Sequence, residues 1–219
     1  MLTAMLYMMR VGQPWRYLPK EYGPWKSVYT RFRRWIKNGL LARMFAEVSR
    51  EPCGKIRSID CTHIKVHRDG ANAPGGREHQ AIGKTKGGLN TKIAVAVDGL
   101  GRVVASNVVA GQTDDVKATA PFHTTLRDCW VVADRAFDTT PFRQILTSLH
   151  AIPCIPPKAN RRIKYKFSET LYRHRHTVEN FFCRIKINRR IATRYNKLAV
   201  TFSAFVTLAF IVDWITLQV

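Results

Sequence analysis

Acidic residues are scarce in this chain. Its 219 residues hold 15 Asp and Glu against 36 Lys and Arg, a formal charge of +21. A surface with that excess suits a polyanion, most often nucleic acid, ahead of a membrane surface or an acidic protein. Paired cysteines are also missing. Cys53, Cys61, Cys129, Cys154 and Cys183 include no CxxC pair, which excludes a disulfide scaffold and a zinc ribbon and fits a reducing cytoplasm. His63 and His67, taken with Cys53 and Cys61, match no zinc-finger spacing. Gly83-Lys84-Thr85 lacks the earlier glycine that a phosphate-binding P-loop requires. There is no internal repeat and no low-complexity tract. The opening "MLTAMLYMMRVGQPW" has neither a charged start nor a small-residue cleavage site, so it is not read as a signal peptide. Long apolar runs are absent except at residues 199–219. That run is interrupted by Asp213 and dotted with Thr and Ser, so it reads as a buried C-terminal core helix, not a membrane span.

What is present is a foldable chain. Hydrophobic residues make up 46%, enough for a core and too many for a disordered basic tail. Residues 14–48 read as helical: Trp25, Val28, Tyr29, Phe32 and Trp35 form a stripe, and Asn38-Gly39 is a stop before a second helix. A helix-turn-helix on DNA has this pattern, and so does any basic helical hairpin. "KIRSIDCTHIKV" is a strand with Ile56, Ser58, Asp60, Thr62 and Ile64 on one face and Ile59 and Cys61 on the other. A glycine-rich basic loop carrying Lys84 and Lys86 follows, read as mobile and DNA-contacting. Next come a hairpin around "DGLG", a helix from "GQTDDVK", a buried strand "CWVVAD" with Trp130 in the core, and a helix opened by Thr140-Pro141. A short strand "AIPCIPP", a basic linker with Arg161, Arg162, Lys164 and Lys166, and a long helix over 171–190 complete the order. Alternation of this kind predicts an α/β fold, a mixed sheet with helices packed on it. The expected division is 1–50, an N-terminal helical DNA-binding region; 54–190, the core; and 191–219, the C-terminal helix.

Three carboxylates stand in unusual settings. Asp60 interrupts an apolar strand, Asp134 ends one, and Glu179 sits amid the positive charge of "LYRHRHTVENFFCRIKINRR". At 100° per residue, Tyr172, Arg175, Glu179 and Lys186 share one stripe. It borders the face of Leu171, Val178, Phe181, Phe182 and Ile185 that would meet the sheet. Glu179 could be no more than an ion-pair partner of Arg175, a pair worth about 0.3–0.5 kcal/mol when exposed. If the strands of Asp60 and Asp134 are neighbours and the helix crosses them, three hard oxygen ligands converge, a set that suits Mg²⁺ or Mn²⁺ and phosphodiester displacement. Asp98, Asp114, Asp115 and Asp128 each have an ordinary reading in a turn, a helix's first turn or ahead of a strand.

These residues carry a resemblance. Tyr172, Arg175, Glu179 and Lys186 match, step by step, the signature Tyr, two residues, Arg, three residues, Glu, six residues, Lys of bacterial insertion-sequence transposases of the DDE class, the group around insertion sequences four and five. "IDCTHIKVH" and "VVADRAFD" resemble the family's two aspartate strands, "GPWKSVYTRFRRW" the helical region before the core, and "KTKGGLNTKIAVAVDGLG" the hairpin region. The resemblance spans almost the whole chain. Family members usually begin earlier, so a shortened DNA-end-binding region is expected. The resemblance implies a ribonuclease H-like core of about five strands with helices on both faces. It implies Asp60, Asp134 and Glu179 as catalytic metal ligands and Mg²⁺ or Mn²⁺ as cofactor. It further implies terminal inverted repeats and target DNA as partners, and a homodimer on DNA. Tyr172, Arg175 and Lys186 are expected at the DNA phosphates, joined by Arg135, Arg184, Arg189, Arg190, Lys84, Lys86, Arg161 and Arg162. No membrane or small-molecule partner is expected, and the place is the cytoplasm, at the nucleoid. A non-catalytic DNA-binding fragment and another ribonuclease H-like nuclease are the alternatives.

Overall fold

The computed structural model describes residues 1–217. Its spine is β1 (Ile56–Val66), central in a seven-stranded mixed sheet. On one side β3 (Gly88–Val97) runs antiparallel to it, with Ser58 opposite Val97 and Lys65 opposite Asn90. β4 (Val103–Ala110) continues antiparallel beyond β3. On the other side β5 (Trp130–Val132) and then β6 (Ile152–Cys154) run parallel. The order β4-β3-β1-β5-β6 makes the mixed sheet with helices on both faces that was anticipated. Two short strands extend it: β2 (Gly83–Thr85) on β3 and β7 (Thr193–Arg194) on the far end of β1.

Both faces of the sheet are apolar, and the period-two pattern decides what each holds. Ile59, Ala94 and Ala96 meet Phe122, Phe137 and Phe142 on one face. There lie α5 (Asp115–Thr119), a 3-10 turn at Ala120–Leu126 and α6 (Thr140–Ser148). Ile64, Ile93 and Val95 meet Val178, Phe181 and Ile185 on the other. That face carries α8 (His176–Lys186) and α10 (Ala199–Thr216). α10 is long and apolar enough to cross a membrane by composition, yet Phe202, Phe205 and Phe210 are buried in this core. Its Asp213 is no defect: Arg184 donates to it from Nε at 2.7 Å and Nη2 at 3.0 Å. Residues 218 and 219 of the expected helix lie outside the described residues.

The N-terminal helices pack on α10, not apart from it. α1 (Leu2–Val11), α2 (Trp25–Lys37) and α3 (Leu40–Val48) place Met5, Phe32 and Leu41 in the same apolar cluster as Phe205. Phe32 and Phe205 stack at 4.6 Å between centroids.

Several local expectations are corrected. Residues 14–24 are not α-helical. Pro14, Pro19 and Pro24 each stand just before an element and divide the segment into two 3-10 turns, Trp15–Tyr17 and Lys20–Tyr22, because proline disfavours helix in the residue before it. The glycine-rich segment is structured: α4 (Arg68–Ala71), a 3-10 turn at Glu78–Gln80, and the β2–β3 hairpin that carries Lys84 and Lys86. Trp130 is not core. It opens an edge rung opposite Ile152, and both are exposed. The long helix over 171–190 is divided into α7 (Glu169–Tyr172), a 3-10 turn at Arg173–Arg175, α8, and α9 (Arg189–Ala192).

Asp98 closes the β3–β4 turn from inside. Fully buried, it accepts from the backbone of Cys53, Leu100 and Arg102 and from the Arg102 guanidinium at 2.8 and 3.0 Å. Asp98→Ala would strand a buried arginine and is expected to cost about 3–5 kcal/mol, read as a lowered urea midpoint with unchanged slope. A loss under about 1 kcal/mol would show that the turn does not depend on this carboxylate.

Candidate active site

One face of β1 is stitched to the late helical segment by three consecutive same-face residues. Ser58 Oγ donates to the carbonyl of His174 at 3.1 Å. Asp60 Oδ2 accepts from Arg175 Nη2 at 3.4 Å. Thr62 Oγ1 accepts from Lys186 Nζ at 2.6 Å. Arg175 Nη1 also donates to Glu179 Oε1, one helical turn on. A single guanidinium therefore bridges Asp60 and Glu179, residues far apart in the chain. Arg175 Nε is a buried donor with no acceptor among the described residues, so the guanidinium is only partly satisfied where it sits.

Asp134 reaches the same end of the sheet by register. The last paired rung of β1 and β5 is Ser58 opposite Val132, so Asp60 and Asp134 each stand two residues beyond it on neighbouring parallel strands. Asp134 accepts from Ala136 N–H at 2.8 Å and caps the 3-10 turn Arg135–Phe137. Burial pushes the Asp60 carboxyl up to about 6, opposed by the Cys61 N–H and Arg175 and reinforced by the charges of Asp134 and Asp115. Tyr172 lies within electrostatic range of Arg175, Asp134, Arg135 and Glu179, and burial raises its phenol. Burial lowers the Lys186 ammonium. Among the described residues no three carboxylate, imidazole or thiol groups come together as a ready metal cage. The structure ties Asp60 to Glu179 through Arg175 and turns Asp134 to its own cap. Like charges repel at close range, and a cation between two of them lowers that cost.

The expected DNA-contacting residues fall into two groups. Arg135, Arg162, Arg189, Lys84 and Lys86 are exposed. Arg184, Arg161 and Arg190 each have partners within the chain. Arg184 holds Asp213. Arg161 pairs with buried Asp138 at 3.2 Å and lies over Tyr165. Arg190 is buried and donates to the carbonyls of Met8 and Gln13. Sequence reasoning missed Ser58 and Thr62 as anchors for the helix, although their place on the Asp60 face was the available signal. It also passed over Asp115, whose charge Asp60 feels. Asp115 is held at 2.5 Å by buried Lys92, and nothing in its helix-opening position pointed to that partner.

Two family models account for most of this chain. Residues 1–45 match a putative transposase of IS4/5 family, and residues 51–214 match the transposase DDE domain. This chain belongs to the DDE transposase family. The insertion-sequence resemblance carried by Tyr172, Arg175, Glu179 and Lys186 is thereby borne out at the level of family. A putative transposase for insertion sequence element IS6501 of Brucella ovis is 30% identical over 129 residues, which cover 58% of this chain and 99% of that one. An uncharacterized protein y4sN of Sinorhizobium fredii is 39% identical over 83 residues, 36% of this chain and 66% of that one. Among solved structures, a Mos1 transposase paired-end complex with left transposon end is similar at 10% identity and a TM-score of 0.30, covering 86% of this chain and 79% of that one. The Mos1 catalytic domain with raltegravir and Mg gives 11% identity and 0.29, covering 70% and 94%.

The raised Asp60 carboxyl has a stability consequence in this transposase. Its folded value lies above its unfolded one, so the charged form is disfavoured in the native state and destabilises it increasingly from about pH 4, fully above about pH 6. Asp60→Asn is expected to stabilise the fold by up to about 3 kcal/mol near pH 8, with the gain shrinking as pH falls through 6 and gone below about 4. Urea unfolding of both proteins across that range reads the gap. A gap independent of pH would mean that Asp60 is not a strained buried charge.

Proposed function

We propose that this DDE transposase cleaves and joins DNA at insertion-sequence ends by metal-dependent phosphodiester chemistry, with Asp60, Asp134 and Glu179 as the metal-binding carboxylates. The observation that carries the reading is the Arg175 bridge. Two carboxylates from a strand and a distant helix already share one positive charge, and the third follows the neighbouring parallel strand, two residues past its last paired rung. The donors are all carboxylate oxygens, the hard set that Mg²⁺ or Mn²⁺ prefers. Arg175, partly unsatisfied at Nε, is the group that must swing aside for a divalent ion. When bound, such an ion supplies Lewis-acid stabilisation of the charge that develops on the phosphodiester.

The chain's own residues supply the rest. Freed from Glu179, Arg175 turns its guanidinium to a DNA phosphate, where a planar fork binds two oxygens. Lys186, at Thr62 on the face of Asp60, holds a neighbouring phosphate as a point charge. Exposed Arg135, directly after Asp134, and Arg189 extend the positive track along the backbone. Water attacks phosphorus at the element end and the 3′ oxygen leaves. The freed 3′ hydroxyl then attacks a phosphorus of the target strand, whose own 3′ oxygen leaves, and the two strands are joined. No covalent protein–DNA link forms. Two ends must be held together for joining, so two copies of the chain on DNA are part of the reading.

Asp60→Asn, Asp134→Asn and Glu179→Gln are each expected to abolish nicking of end-containing DNA in Mg²⁺ while leaving the gel shift intact. Near-normal turnover in any one removes that residue from the site. Cutting without preference for the element boundary would favour a general nuclease, and a shift without cutting would favour a non-catalytic binder. Lys186→Ala is expected to weaken binding and to reduce the salt dependence by about one phosphate contact. An unchanged salt slope would take Lys186 off the backbone.

A further inference from the structure

A large cavity lies away from the carboxylates. It has a volume of about 1030 Å³ and opens between the N-terminal turns and the segment after β7. Its walls are aromatic: Trp15, Tyr17, Trp25, Tyr29 and Tyr195. Trp15 is the floor, packed on Tyr29 at 5.4 Å, Phe32 at 5.8 Å and Phe205 at 6.0 Å between centroids. Tyr17 is 70% exposed, far from core packing. Positive side chains ring these faces: Arg16, Arg189, Arg190 and Lys197.

Arg190 is the unusual member. Only 4% exposed, it stacks over Phe205 at 5.0 Å and Trp15 at 5.8 Å. Its Nε and Nη2 donate to the backbone carbonyls of Met8 and Gln13, and among the described residues no carboxylate pairs with it. Burial lowers its guanidinium to about 10, so it remains charged at neutral pH. A buried cation without a counter-charge is costly unless an anion completes it. The one acidic lining residue, Asp69, is already engaged by His67 at 3.2 Å and Arg68 at 3.8 Å. Aromatic faces beside uncompensated positive charge are the composition that binds unpaired nucleotides, whose bases stack while their phosphates find cations. A duplex presents phosphates but no free base faces, so it would leave these walls unused.

We propose that this cavity is a single-strand pocket, taking one or two unpaired nucleotides of DNA, with bases against Trp25, Tyr29 and Tyr17 and phosphates on Arg189, Arg190 and Lys197. Its place along the fold gives the direction. β7 pairs with Lys65 and Val66 at the far end of β1, six residues beyond Asp60, which is about 20 Å of strand. Unpaired nucleotides would therefore be held away from the phosphate at the carboxylates, beyond the far end of β1. The inference rests on DNA being the substrate. Its test reads binding without metal, so a failure of strand cleavage leaves it untouched.

The experiment uses the full chain in metal-free buffer. A fluorescein-labelled hexathymidylate, the same hexamer without bases, and a blunt 20-base-pair duplex are titrated by anisotropy. The double variant Tyr17→Ala, Trp25→Ala is expected to lose roughly five- to 150-fold in affinity for hexathymidylate and less than about twofold for the duplex. The abasic hexamer should bind the unaltered chain no better than hexathymidylate binds the variant. Because Trp25 is partly packed, Tyr17→Ala alone is measured beside it, with circular dichroism as the check on folding. That single variant should show a smaller loss of the same selectivity. Equal losses for strand and duplex, or abasic and base-bearing hexamers binding alike, would overturn the proposal and leave the cavity a plain phosphate site. Concentration-dependent self-association that hexathymidylate does not relieve would also overturn it, by assigning the aromatic walls to a second copy of the chain.

Discussion

A carboxylate on the inner face of a sheet must find a cation. Asp60 finds Arg175, and much of this structure is arranged around that meeting. Arg175 reaches β1 only because α8 lies across the sheet, and α8 lies there because Val178, Phe181 and Ile185 bury themselves against Ile64 and Ile93. Glu179 follows one turn later and shares the same guanidinium. The hydrophobic face thus delivers the polar stripe. Burial supplies the energy of the placement, since each such side chain is worth about 1.5–3 kcal/mol out of water, whereas the bridging pair in partial exposure is worth far less. The ion pair selects the register of helix on strand; the core holds it there.

The same face shows why the site is costly and why the rest of the molecule can bear it. Asp60 is held as a half-paired carboxylate whose burial opposes ionisation. Such strain is tolerated where the surroundings over-determine the geometry. Here the surroundings include Ser58 and Thr62, which flank Asp60 and tie the helix on either side. They include two apolar clusters, one per sheet face. They also include the internal pairs Asp98–Arg102, Asp138–Arg143 and Asp213–Arg184, which use acidic residues the chain has few of. Six of the 15 acidic residues in the sequence are Asp60, Glu179, Asp115 and these three aspartates, each paired with a cation of the same chain. The surface is left overwhelmingly positive, which is what a DNA-handling enzyme requires.

Much of the core was legible because its signals are local and periodic. The alternation in Ile56–Val66 announced a strand with Asp60 on a defined face, and the i, i+3, i+4 spacing of Val178, Phe181, Phe182 and Ile185 announced the buried face of α8. Register and partner choice were not legible. Trp130 looks like core because it precedes an apolar run, yet it opens an edge rung and faces out. Arg161 and Arg184 look like free charge because their partners, Asp138 and Asp213, lie 23 and 29 residues away. The 3-10 turns of residues 14–24 follow from proline, a signal that was present and outweighed by the aromatic stripe.

By itself the sequence determined which side chains carry charge, which faces of each element are apolar, and the order of the strands and helices, because these depend on residues within a few positions of one another. It also determined the family, through the fixed steps from Tyr172 to Lys186. Only the tertiary structure decided that Arg175 stands between Asp60 and Glu179, that Asp134 turns to cap its own loop, and that Arg190 lies charged and buried beneath an aromatic cavity. Each of those depends on chain segments that meet across the sheet or across the whole length of the protein. Their distances follow from packing, and no spacing along the chain encodes them.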